Sequence, residues 1–152
     1  MNKLKRFLYN IKNIYEWSKI LWDDFDWDYD FLLKILDYKL KKMRKYFDNS
    51  NITTVEEYQS ILNEIDTCIN AIEQLRNRDY IDEIYKEYYD KYPTTIESWI
   101  DEQRNVVHGI KMMNKERKKL FDIAYKKEQN KENELNHMLF DTIRDNYEKW
   151  WD

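Results

Sequence analysis

Between Trp22 and Asp30 the chain reads WDDFDWDYD, five Asp residues interleaved with Trp22, Phe25, Trp27 and Tyr29. These residue types support three different roles. Asp24, Asp26 and Asp28 match the first three ligand positions of an EF-hand loop, but position six is Tyr29 instead of Gly and position twelve is Ile35 instead of Glu. A calcium loop is therefore disfavoured. A second role is a ligand pocket: an indole stacks on a flat base while a carboxylate accepts hydrogen bonds from exocyclic amines or ribose hydroxyls. The third is structural, with Asp capping and polarising a helix start while the Trp residues fill the core. The terminal YEKWWD raises the same question, because Trp150 continues an apolar stripe and Trp151 stands one residue off it.

Other reactive residue types occur without the company they need. His108 is followed at i+4 by Met112, and neither HExxH nor CxxC occurs, so no zinc site is expected. Glu134 and His137 form one Glu-x-x-His pair, whereas a bundle di-iron centre needs two. Cys68 lies on an apolar stripe and reads as a small core residue. Ser18, Ser50, Ser60 and Ser98 occupy no nucleophile elbow. The basic run Lys115 to Lys119, KERKK, reads as a solvated helix face. No catalytic residue, metal or cofactor is expected, and the chain is read as a non-enzyme.

The composition narrows the fold. With one Gly and one Pro in 152 residues, the chain is poor in the residues that reach φ > 0, as tight hairpins and phosphate-cradling loops require, so an all-β fold or a nucleotide-binding P-loop is not expected. A hydrophobic share of 42% and an aromatic share of 16% are enough for a single core. One cysteine permits no internal disulfide, which fits a reducing compartment. No apolar run approaches the roughly 20 residues of a membrane span, and the basic start lacks the continuous apolar stretch of a signal peptide. No membrane partner is expected. A net charge of -4 argues against general nucleic-acid binding. That charge is uneven: residues 1–22 carry five Lys/Arg against one Glu, while residues 49–110 are acidic.

The spacing of apolar residues predicts an all-α, elongated antiparallel bundle of four to six helices in a single domain, 1–152. Leu4, Phe7, Leu8, Ile11, Ile14, Tyr15, Leu21 and Trp22 lay one apolar stripe along a first helix. The Asp-rich segment turns the chain into a second helix, about Tyr29 to Phe47. Thr54 with Glu57 reads as a capping box opening a third, which Asn77 to Asp79 bends or breaks. A Tyr-rich continuation ends at Pro93. Thr94 with Glu97 reads as a further capping box, opening a fourth helix that carries Ile96, Trp99, Ile100, Val106, Val107, Leu120, Phe121 and Ala124. Residues 126–134 hold no apolar side chain and read as either a polar loop or two turns of projecting helix. Leu135, Met138, Leu139, Ile143 and Trp150 then mark a last helix. Such long stripes expose more apolar surface than one protomer covers, which favours a homo-oligomer.

Trp17, Trp22, Asp24, Asp26, Trp27, Asp28 and Tyr29 form a W-x4-W-x-D-x-D-W-D-Y pattern, and Trp150, Trp151 and Asp152 end the chain as W-W-D. In both respects the sequence resembles a family of small uncharacterised tailed-bacteriophage proteins. The resemblance covers the two ends, and implies a phage origin and a setting in the host cytoplasm without implying a mechanism. It leads to the expectation of an oligomeric, non-enzymatic accessory protein that counters host defence by sequestering a nucleotide-type small molecule. The ligand set would be Trp22, Asp24, Asp26, Trp27 and Asp28 with Arg104, Arg144, Trp151 and Asp152, if the two ends of the chain meet. The alternative is a structural or assembly component, or an inhibitor of a host defence protein, acting through helix-mediated contacts.

Overall fold

Apolar residues recurring every three or four positions become helix in a computed structural model that describes residues 3–22, 29–48, 55–93, 97–100, 106–109 and 114–150. The helices are α1 (Lys3–Leu21), α2 (Tyr29–Asp48), α3 (Val55–Asn77), α4 (Tyr80–Lys91) and α5 (Lys115–Asn146). Together they make an all-α, elongated antiparallel bundle. Between α4 and α5 lies a two-stranded antiparallel ladder, β1 (Glu97–Ile100) and β2 (Val106–Gly109).

The main core forms where α2 and α5 pack on α3. Ile61, Ile65, Cys68, Ile72 and Leu75 from α3 meet Leu33 and Leu40 from α2 and Leu135 and Leu139 from α5. Ile65 and Ile72 are fully buried. Trp150 closes one side of this core and donates its indole N–H to Glu64 Oε2 at 3.0 Å. A smaller core joins α4 to the first half of α5, with Tyr85, Tyr88 and Ala124 buried and Phe121 packed against them. Arg117 lies over the rings of Tyr88 and Tyr92 and donates to the Tyr88 hydroxyl at 3.0 Å.

The α3–α4 break falls where Asn77 to Asp79 predicted it. Arg78 takes φ 56°, the left-handed conformation that disfavours a residue with a Cβ. Its guanidinium donates to Glu128, a buried acid on α5. The other Glu128 oxygen accepts from the Tyr85 hydroxyl at 2.7 Å.

Two predicted elements are corrected. Residues 97–100 and 106–109 are strands, so the fourth helix from Ile96 does not form and Thr94–Glu97 opens no helix. The ladder aligns Trp99 with Val107 and Ile100 with Val106. Aromatic and β-branched residues favour extended backbone. The helix start is instead Asn114, whose side chain accepts from the Arg117 backbone N–H at 2.7 Å.

Residues 126–134 are helix, and the predicted last helix is the second half of α5. At 1.5 Å per residue its 32 residues run about 48 Å, long enough to serve both cores. Within this polar stretch Glu128 is buried and held by Arg78 and Tyr85.

The first helix forms as predicted, but its stripe stays outside the core: no residue of α1 is buried.

Candidate functional site

Glu16 is the only acid in α1, and it decides which side of the helix docks. Its carboxylate accepts from the Tyr38 hydroxyl at 2.9 Å and pairs with Lys42 Nζ at 2.8 Å, both on α2. Lys42 also donates to Asn13 Oδ1 at 2.6 Å. One turn away, Trp17 meets the Tyr38 ring edge-to-face at 4.8 Å. The Lys42 ammonium, then the Tyr38 hydroxyl, hold the Glu16 carboxyl below its usual range, and the Lys42 amine is raised chiefly by Glu16.

Asn13, Glu16, Trp17 and Ile20 share the side that turns toward α2, and these four are the only half-buried residues of α1. The opposite side carries Leu4, Phe7, Leu8, Ile11, Ile14, Tyr15 and Leu21, all exposed, with Ile14 at 69%. Trp22, at the end of the same stripe, is 86% exposed. Lys5, Lys12 and Lys19 stand seven residues apart, nearly two full turns, and so line one edge of the stripe. Lys19 reaches back over the Tyr15 ring at 4.4 Å. The result is an outward apolar face with a basic rim.

A cleft of about 330 Å³ opens between this helix, α2 and α3, lined by Lys19, Lys34, Asp37, Tyr38, Lys41 and Arg76. Most of its cations are engaged. Lys34 and Arg76 converge on Asp30 at 2.9 and 2.7 Å, and Lys41 lies 3.0 Å from Asp37 and 3.1 Å from Glu73. Lys34, then Arg76, hold the Asp30 carboxyl below its usual range. Asp30 sits in the first turn of α2, where a negative charge suits the helix dipole. In the Asp-rich segment this one carboxylate is a structural clasp, joined by Tyr29, whose hydroxyl donates to Asn136 Oδ1 at 2.7 Å.

Of the ligand set read from sequence, Trp22 and Arg144 lie within the described residues. Asp24, Asp26, Trp27, Asp28, Arg104, Trp151 and Asp152 lie outside them. Trp22 does not fill the core. Arg144 pairs with Asp141 at 2.7 Å and Asp145 at 2.8 Å on the exposed face of α5, so a phosphate would have to displace two carboxylates.

Glu134 pairs with Lys131 and His137 lies 3.4 Å from Asp141, all on the surface of α5. No group of three His, Cys, Asp or Glu residues converges among the described residues. Cys68 is fully buried, and burial pushes its thiol up to about 11. Its Sγ lies 3.8 Å from the Leu139 carbonyl, the environment of a core residue. Among the described residues no helix is long and apolar enough to cross a membrane.

Sequence reading missed the Glu16–Lys42–Tyr38 clamp and the Arg78–Glu128–Tyr85 junction. Both left a signal. Glu16 is the lone acid of a basic helix, and Glu128 falls in helical register with Ala124, Leu135 and Leu139. Compared with family profiles, curated proteins and solved structures, the chain finds no match in any of the three.

Proposed function

We propose that this chain is a non-catalytic binding protein whose working surface is the outward face of α1. One observation carries the reading: a complete amphipathic stripe, Leu4 to Trp22, is exposed while the helix that bears it is anchored by its polar side. Exposed apolar patches of this kind mark contact sites, because a chain gains nothing in solution by wetting seven or eight large apolar side chains. This is the helix-mediated alternative raised from sequence. It accommodates a phage accessory role, a homo-oligomer or a host target equally well.

The test is a triple variant, Phe7→Ser/Ile11→Ser/Ile14→Ser. If the stripe serves contact and not the fold, the melting curve stays within the range of ordinary surface substitutions. Binding of a fluorescent apolar dye should fall sharply. Loss of cooperative unfolding would sink the reading, since the stripe would then belong to the core.

A second reading keeps the sequestration of a nucleotide-type ligand: Trp22 offers an exposed indole for a base, and Lys19 lines the cleft, whose other cations a phosphate would have to draw from Asp30, Asp37 and Glu73. A thermal-shift screen with mono-, di- and cyclic nucleotides decides, because a ligand that binds only the folded state raises the melting temperature by mass action. A flat response at millimolar nucleotide removes this reading and leaves the first intact.

A further inference from the structure

We infer that the partner of the α1 face is an anionic lipid surface, on which the helix lies flat without crossing it. The inference rests on the reading of α1 as a contact face and names what it contacts. It departs from the expectation of no membrane partner, which rested on the lack of a spanning apolar run; among the described residues no helix is long and apolar enough to cross a membrane, and a helix lying in the interface needs no such length of apolar chain.

Three features favour a bilayer over another protein. The first is charge. Glu16, the one acid of α1, is turned to α2 and held by Lys42 and Tyr38. The outward face therefore carries no carboxylate, while Lys5, Lys12 and Lys19 run along its edge and Lys3 borders the other side. Lysines at the rim of an apolar face bury their stems in the headgroup region and keep their ammonium groups among lipid phosphates.

The second is the aromatic content. Phe7, Tyr15 and Trp22 sit on the stripe with aliphatic Leu4, Leu8, Ile11 and Ile14, the mixture found on helices that bind membrane interfaces. The third is access. The side of α1 that docks on α2 is opposite the stripe, so α2 lies behind the helix as a flat surface approaches.

A second copy of the chain fits less well. Two α1 faces meeting antiparallel about a two-fold axis would set the Lys5–Lys12–Lys19 rim against the same rim of the partner. Helix pairs are joined by opposite charges at such flanking positions, and this face offers none.

The experiment is co-sedimentation of the full chain with two kinds of vesicle, phosphatidylcholine alone and phosphatidylcholine in which about one lipid in three is phosphatidylglycerol. Binding is expected to the anionic vesicles and to weaken with added salt. Trp22 emission should shift to the blue on binding, and that component should vanish in Trp22→Phe.

Lys5→Gln/Lys12→Gln/Lys19→Gln should weaken partitioning by roughly a hundredfold, on the order of fivefold per lysine. The Phe7→Ser/Ile11→Ser/Ile14→Ser variant should lose it while melting normally. Equal binding to neutral vesicles would overturn the electrostatic part of the inference. Absence of vesicle binding, with light scattering showing a dimer that the serine variant dissociates, would overturn the lipid assignment and leave the contact face standing. Cooperative unfolding lost in the serine variant would overturn both.

Discussion

Helices α1 and α3 carry the same kind of sequence and occupy opposite places. Both repeat apolar residues every three or four positions, in α1 from Leu4 to Leu21 and in α3 from Ile61 to Leu75. In α3 nearly every such residue is buried, with two other helices packed on it. In α1 none is buried, and the helix is held through Asn13, Glu16 and Trp17. Amphipathic spacing therefore identifies a helix and its stripe but does not say what covers the stripe. The polar residues decide that here. The side of α1 facing α2 offers partners for Tyr38 and Lys42, and satisfying those groups fixes the docked face.

Matching side chains cut from the two stripes should have very different costs. Ile72→Ala removes a fully buried side chain from the α3 core and should cost about 2–5 kcal/mol, the range for a large-to-small change that leaves a cavity. Ile11→Ala on α1 should change stability by less than about 0.5 kcal/mol. Urea denaturation of the two single variants measures both. Equal losses would show that α1 belongs to the folded core.

A smaller effect is expected at the junction between the two cores. Glu128→Ala strips the buried partner from the Tyr85 hydroxyl and from Arg78. The loss should be about 1–3 kcal/mol, the cost of an unsatisfied buried polar group, with the half-exposed Arg78 adding little because water replaces its partner. Glu128→Gln keeps an acceptor and the side-chain shape and should recover part of it. If both variants melt like the parent, the junction does not couple the cores.

Next comes Arg78→Gly, where two contributions oppose. Glycine removes the left-handed strain, worth roughly 1–2 kcal/mol, and also removes the donor to Glu128. The net change should be small in either direction. In the Glu128→Gln background, where the pair is already weakened, the same substitution should stabilise. A double-mutant cycle by urea titration reads this coupling, and additivity of the two changes would remove the pair from the account.

The sequence made the helical class legible, along with α2, α3, α4 and their breaks, because their stripes face neighbours and their ends fall at Asn, Asp or Pro. Cys68 and Trp150 were legible as core for the same reason. The β1–β2 ladder was not: Trp99, Ile100, Val106 and Val107 also fit a helical face, and pairing is a non-local choice that spacing does not record. The continuity of α5 through residues 126–134 was ambiguous because Glu128 is buried by partners distant in sequence. Of the candidate site, the stripe was visible but its direction was not, because direction depends on the Glu16 clamp.

The clamp also gives the comparison a pH dependence. Lys42 and Tyr38 hold the Glu16 carboxyl below its unfolded range, so its contribution is present above that range and lost as pH falls through the depressed folded value. The Lys42 amine is raised above its unfolded value, so its contribution persists at neutral pH and is lost only as strongly alkaline pH passes the folded value. Between those limits both groups are charged and α1 stays docked. Acidification below the ordinary carboxylate range should therefore release α1 first, while the α2–α3–α5 core, built on apolar contacts, remains folded. Hydrogen exchange read helix by helix should show α1 protection falling with acid while α3 protection holds. Glu16→Gln should bring that low protection of α1 to neutral pH and flatten its pH dependence. An α1 whose exchange rises only together with that of α3 would mean that the two helices form one cooperative unit and that their difference in burial has no energetic counterpart.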